Sequence, residues 1–106
     1  MMKDALELWI HEIVRYNTRL HLVGPGLLKE LSAQVQAFLP LLAHIQAPEI
    51  VDLGSGSGLP GIPYALMHPR ARVFLIERSS DKCVFLRHVI DLLGLRQVEV
   101  LEADPL

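Results

Sequence analysis

The chain reads as an α/β protein in which an N-terminal helical cap precedes a parallel sheet of three strands. Helix-spaced apolar residues fill the chain as far as Ile45, and strand-like and helix-like runs then alternate strictly to the end. The first such alternation passes through a glycine-rich loop, Gly54-Ser55-Gly56-Ser57-Gly58-Leu59-Pro60-Gly61. Strict alternation implies parallel strands joined by right-handed crossovers. The expected organisation is a cap over residues 1–47 and a βαβαβ unit over residues 48–106 of one domain.

Within the cap, Leu6, Trp9, Ile10, Ile13 and Val14 recur at helical spacing and predict an amphipathic helix from about Lys3 to Leu22. Gly24-Pro25-Gly26 stops it. A second helix is expected from Leu27 to Ile45, carrying Leu28, Leu31, Val35, Phe38 and Leu42 on one side and a kink or break at Pro40. Trp9 and Tyr16 share a helix face and are expected to pack between cap and sheet. Strands are expected at Ile50–Leu53, Val73–Glu77 and Val98–Leu101, with helices at Gly61–Met67 and Asp81–Leu93 between them. Ser80 is placed to cap the last helix and Gly94 to end it.

A chain of 106 residues buries somewhat more than ~60% of its unfolded surface, so it folds without much margin. Its composition is 51% hydrophobic and 21% charged, with a mean hydropathy of +0.33. That is apolar for a short chain, and some apolar surface is expected to meet a partner or a further segment. The single cysteine, Cys83, excludes an intramolecular disulfide and fits a reducing compartment. Lys3, Asp4 and Glu7 interrupt the N-terminus, so no secretory signal is expected, and no apolar run approaches the length of a membrane span. The expected location is cytoplasmic. A net charge of −2 gives no overall footprint for nucleic acid, although Arg15, Arg19, Arg70, Arg72, Arg78, Lys82 and Arg87 can still form a local patch.

The glycine loop carries the functional signal. Alternate glycines let the backbone approach a ligand, and the helix beginning near Gly61 is expected to aim unpaired N–H groups at the same crevice. Gly56-x-Gly58-x-x-Gly61 satisfies the dinucleotide spacing, but Asp52 stands just before the loop. A carboxylate there repels a pyrophosphate and suits a cationic amine or sulfonium, which favours S-adenosylmethionine over NAD or FAD. About twenty residues beyond the glycines, Arg72-Val73-Phe74-Leu75-Ile76 ends at Glu77. An acid at that strand tip can accept both hydroxyls of an adenosine ribose, the alternative being a solvated charge.

Other residues have plainer readings. His11, His21, His44, His68 and His88 are scattered without ligand spacing, so no metal site is expected. Cys83 reads as a small buried residue rather than a reactive thiol, despite Lys82 beside it. Arg15 and Arg19 read as a solvated stripe, with an RNA contact as the minor alternative.

Three segments together resemble a known family: Tyr16-Asn17-Thr18-Arg19-Leu20-His21-Leu22, then Asp52 through Gly61-Ile62-Pro63, then Lys82 with Phe85-Leu86-Arg87-His88-Val89. They are similar to the RsmG (GidB) bacterial small-subunit ribosomal RNA methyltransferases, with the Pro60-Gly61-Ile62-Pro63 run the most specific part. The resemblance is strongest from Ile50 to Val100. It implies the first half of a Rossmann-like class I methyltransferase fold, and methylation of a guanine N7 in 16S ribosomal RNA with S-adenosylmethionine as donor. By the same resemblance Gly54, Gly56 and Gly58 line the methionine end, Asp52 steadies the loop and the donor's ammonium, and Glu77 takes the ribose. Ser55, Pro60, Gly61 and Arg78 complete the expected cofactor-binding set, and Asp104 is assigned the adenine amino group. No catalytic side chain is assigned.

The chain departs from the family pattern at His21-Leu22-Val23, where Asn-Leu-Thr is usual, and at Leu31 and Gln34, where a His and an Asp are typical. Glu102-Ala103-Asp104-Pro105 also replaces a usual arginine. A class I sheet has seven strands ordered 3-2-1-4-5-7-6, so a chain ending after the third is expected to self-associate or to belong with a missing C-terminal half. The alternatives are a non-catalytic donor-binding or scaffold module and, more distantly, a dinucleotide-dependent enzyme.

Overall fold

The computed structural model describes residues 2–104. Helices α1 (Met2–Leu20) and α2 (Pro25–His44) precede strand β1 (Glu49–Leu53), helix α3 (Gly61–Met67), strand β2 (Arg72–Glu77), helix α4 (Ser80–Leu93) and strand β3 (Val98–Glu102). The strands form one parallel sheet in the order β1-β2-β3. Among the described residues no helix is long and apolar enough to cross a membrane.

Helix α1 buries Leu6, Trp9 and Ile13, one face of its 3.6-residue period. It ends at Leu20, earlier than the periodicity predicts, because His21 turns into the left-handed region at φ 49°. The Asn17 side chain secures that turn by accepting the Val23 amide at 2.9 Å. Helix α2 starts at Pro25 instead of Leu27. Gly24 is its N-cap, and proline suits the first helical turn, where its missing N–H would have had no partner. The helix also runs through Pro40 to His44 without a break. Pro40 is exposed, so the ring and the backbone group it leaves unbonded face water.

Register puts Ile50, Asp52, Val73, Leu75, Val98 and Val100 on one sheet face. Val73, Leu75, Val98 and Val100 are buried there beneath α3 and α4, and α1 and α2 pack outside those helices. Trp9 lies in the same buried cluster as Val73 and Leu75 of the sheet, and Tyr16 packs against that cluster, making an edge contact with Phe85 of α4 at 5.8 Å between centroids. Tyr64 of α3 is fully buried, and its hydroxyl accepts the Ala47 amide at 3.1 Å and donates to the Ala47 carbonyl at 3.0 Å. That pair fixes where the chain leaves α2 and enters β1.

The opposite sheet face carries Val51, Leu53, Phe74, Ile76 and Leu101. Val51 is 56% and Leu53 64% exposed, so this face remains open along β1. Helix α4 is capped by Ser79, whose hydroxyl accepts the Lys82 amide at 3.4 Å, and not by Ser80 as the sequence suggests. Ser80 instead hydrogen-bonds the Glu102 carboxylate at 2.8 Å. Gly94 ends α4 in the left-handed conformation, as expected.

Candidate functional site

The glycine loop leaves the C-terminal tip of β1 and returns into α3, the position at which open α/β sheets bind ligands. The neighbouring strand holds it: the Gly54 and Ser55 amides both donate to the Ile76 carbonyl, at 2.8 and 3.2 Å. Inside the loop the Gly58 amide donates to the Ser55 carbonyl at 2.8 Å, and the Ser55 hydroxyl to the Asp52 carbonyl at 3.0 Å.

Both acids identified from the sequence reach this loop. Asp52 Oδ2 accepts the Gly61 amide at 3.1 Å. Glu77 Oε1 accepts the Gly56 amide at 2.9 Å, and Oε2 accepts the Ser79 amide at 2.8 Å. Glu77 is buried, which excludes a solvated charge at a strand end. A carboxylate offers about four lone-pair positions, so each Glu77 oxygen retains acceptor capacity after binding one amide.

One expectation is reversed here. The first turn of α3 does not aim unpaired N–H groups at the crevice. Gly61 donates to Asp52, Ile62 donates to the Gly58 carbonyl at 2.7 Å, and Pro63 has no N–H. The amides of Gly54, Ser55, Gly56 and Gly58 are committed as well. A pyrophosphate would find neither a backbone cradle nor an open helix terminus at these positions.

Electrostatics separate the two acids. Burial pushes the Asp52 carboxyl above its ordinary pKa, against the lowering effect of hydrogen bonds from Gly61 and Ser55, and the nearby negative Glu77 adds to the rise. Burial acts on Glu77 in the same direction. There the Ser79 and Gly56 amides, with the Lys82 charge, prevail and hold it below its ordinary pKa.

Close packing fixes the loop's path. A Cβ on Gly58 would lie 2.5 Å from Ile62 Cγ1, and one on Gly61 would collide with Leu75 and approach Asp52 Oδ2 at 2.9 Å. Beside Gly54, by contrast, a Cβ would meet nothing within 4 Å. Pro60 is the N-cap of α3. Arg78 is exposed just beyond β2. Asp104 is exposed past the end of β3, which is tied to the site by the Ala103 amide donating to the Glu77 carbonyl at 3.0 Å. Cys83 is buried with its thiol on that same carbonyl at 3.2 Å, and burial raises its pKa, which suits a packing residue. A concavity of about 540 Å³ lies at the opposite end of the sheet, lined by Gln46, Pro48, His68 and Arg70, and contains none of these residues.

Comparison with known proteins decides the family. Residues 2–104 match the family described as GidB, rRNA small subunit methyltransferase G. The chain belongs to the GidB family. Proteins called ribosomal RNA small subunit methyltransferase G are similar to it. The one from Borrelia turicatae is 36% identical over 95% of this chain and 51% of its own length. That from Polynucleobacter asymbioticus is 38% identical over 91% and 46%. A Nitrosomonas eutropha protein of the same name is 47% identical over 58% of this chain and 29% of its own length. The chain thus spans about half the length of the curated relatives that it matches throughout. GidB proteins are methyltransferases and so require a methyl donor, and the three-stranded parallel sheet with flanking helices is a partial Rossmann-like fold of that kind.

Two features of this GidB chain escape a sequence reading. The buried Trp9 indole N–H donates to the Ser57 carbonyl of the glycine loop at 2.9 Å. Glu12, also buried, has Oε1 2.7 Å from His88 Nε2 on α4. A tryptophan on a buried helix face must find an acceptor, and a glutamate beside Ile13 must find a donor, so each need is visible in sequence. The partners are not.

Proposed function

We propose that the chain forms the donor-binding half of an S-adenosylmethionine-dependent methyltransferase that acts on guanine N7 of 16S ribosomal RNA, in the bacterial cytoplasm and on the small subunit or its RNA. One observation carries the donor assignment. Asp52 and Glu77 flank a loop whose amides at Gly54, Ser55, Gly56, Gly58 and Gly61 are all committed. Two carboxylates beside a loop whose amides are taken at these five positions favour a cationic ligand over a pyrophosphate, which weighs against the dinucleotide alternative. The names of the relatives support the RNA substrate.

In this reading Gly54, Gly56 and Gly58 border the methionine end, and the open space beside Gly54 leaves room for it. Asp52 orients the ammonium, Glu77 accepts the ribose hydroxyls through its remaining lone pairs, and Asp104 takes the adenine amino group. Ser55, Pro60 and Gly61 shape the loop, and Arg78 borders the adenosine. When bound, the donor supplies an electrophilic methyl group on a sulfonium. Guanine N7 already carries a lone pair, so the chain need not supply a general base; its work is to position the two partners. The open apolar face bearing Val51 and Leu53 is where copies of the isolated chain associate.

Transfer of labelled methyl from S-adenosylmethionine to small ribosomal subunits tests the reading. Label at a guanine N7 of 16S RNA is the expected product. Donor binding without transfer, even with the remaining half of a relative added in trans, assigns the chain to a non-catalytic donor-binding or scaffold role.

A further inference from the structure

We infer that helix α1 is a positioning element for the donor loop, acting through Trp9 and held in place by Glu12 and His88; the inference about ligand affinity rests on the donor assignment above. The glycine loop is anchored below by the sheet, through Ile76 and Glu77. Its upper side, at Ser57, is anchored by the Trp9 indole, 48 residues away in sequence and fully buried. Ser57 O lies between Gly56, which meets Glu77, and Gly58, where Ile62 and Leu86 leave no room for a Cβ. Moving Trp9 therefore moves the part of the loop that the donor is proposed to touch.

Helix α1 does not hold its own position by apolar contact alone. Glu12 lies one turn beyond Trp9, is 2% exposed, and places Oε1 2.7 Å from His88 Nε2 across the interface with α4. That distance is a hydrogen bond between two side chains on different helices, so each fixes the other's place. The Tyr16 ring lies against His88, with 5.5 Å between centroids, and against Phe85. Arg15 approaches the same Glu12 oxygen only at 3.7 Å and from solvent, so its contribution is minor. A polar clasp sets the register of α1 on α4, because shifting the helix would strand a buried carboxylate. The register in turn sets the height of the Trp9 N–H over Ser57.

Trp9→Phe keeps most of the ring packing and deletes the N–H. Hydrogen exchange compared with the unaltered chain should show the Gly56 and Gly58 amides exchanging several-fold faster, with Val73 and Leu75 in the sheet unchanged. Affinity for S-adenosylhomocysteine should fall about two- to tenfold, the worth of one hydrogen bond. Glu12→Gln should produce the same local pattern to a smaller degree. Loop exchange that is unchanged, or that rises equally throughout the sheet, would overturn the inference and leave Trp9 a packing residue. If the exchange pattern appears but the unaltered chain binds no S-adenosylhomocysteine, the tether stands and the donor assignment fails.

Discussion

The Glu77 carboxylate at the tip of β2 accepts the Gly56 amide, 21 residues earlier, at 2.9 Å. Its second oxygen accepts the Ser79 amide at the start of α4. One buried side chain therefore fixes both the glycine loop and the next helix, and any ligand it binds is read by a group whose position is already set. Glu77→Gln offers one acceptor oxygen where two amides need partners, so one amide loses its acceptor. Urea denaturation should show a loss of about 1–3 kcal/mol.

The same variant should change the acid response. Glu77 is held below its ordinary pKa, so its stabilisation is present above the unfolded value and is lost as pH falls through the lower folded value. Asp52 runs the other way: its raised pKa gives stabilisation below the unfolded value that is lost as pH rises through the folded one. Stability measured against pH should therefore show the advantage of the unaltered chain over Glu77→Gln shrinking as pH falls through the acid range.

Gly58→Ala should destabilise by about 1–3 kcal/mol or more, because the added methyl meets Ile62 Cγ1 at 2.5 Å in a backbone at φ 104°. Gly54→Ala meets no atom within 4 Å and should cost only the strain of its positive φ. Thermal melts of the pair separate a packing requirement from a conformational one.

Much of this was legible in sequence, and the reasons differ by element. Alternating apolar runs placed every strand within a residue or so, since the burial face of β2 and β3 follows the pleat. Asp52 and Glu77 were visible as acids at two strand tips. Their hydrogen bonds were not, because spacing says which residues meet at a sheet edge but not which lone pairs are already engaged. The expectation of free amides at Gly61 failed for that reason: Asp52 is close enough to cap the helix itself. Ser79 and Ser80 are both good caps by residue type, and only backbone geometry shows that Ser79 is the one that caps α4. The link from Trp9 to Ser57 joins distant segments, and nothing local to either predicts it.

The capping assignment has its own consequence. Ser79→Ala should lower stability by about 0.5–2 kcal/mol, the usual worth of an N-cap, while Ser80→Ala, which removes an exposed contact with Glu102, should change it by less than about 0.5 kcal/mol. Equal effects in denaturant melts would contradict the assignment.

The open sheet face should be visible in solution. Val51 and Leu53 present apolar surface along an edge strand, an arrangement that invites association. Size-exclusion with light scattering should show species larger than a monomer, reduced in Leu53→Asp. A monodisperse monomer would show that this face is stable when wet.

If Asp52 and Glu77 hold a methyl donor, this half-length chain should bind one on its own. Calorimetric titration with S-adenosylhomocysteine, beside NAD and a Glu77→Ala variant whose fold is checked by circular dichroism, tests it most directly. Saturable binding of S-adenosylhomocysteine, absent for NAD and weakened at least tenfold in the variant, is the predicted result. No binding by the unaltered chain, or tighter binding of NAD, would rule out a methyl-donor site at Asp52 and Glu77.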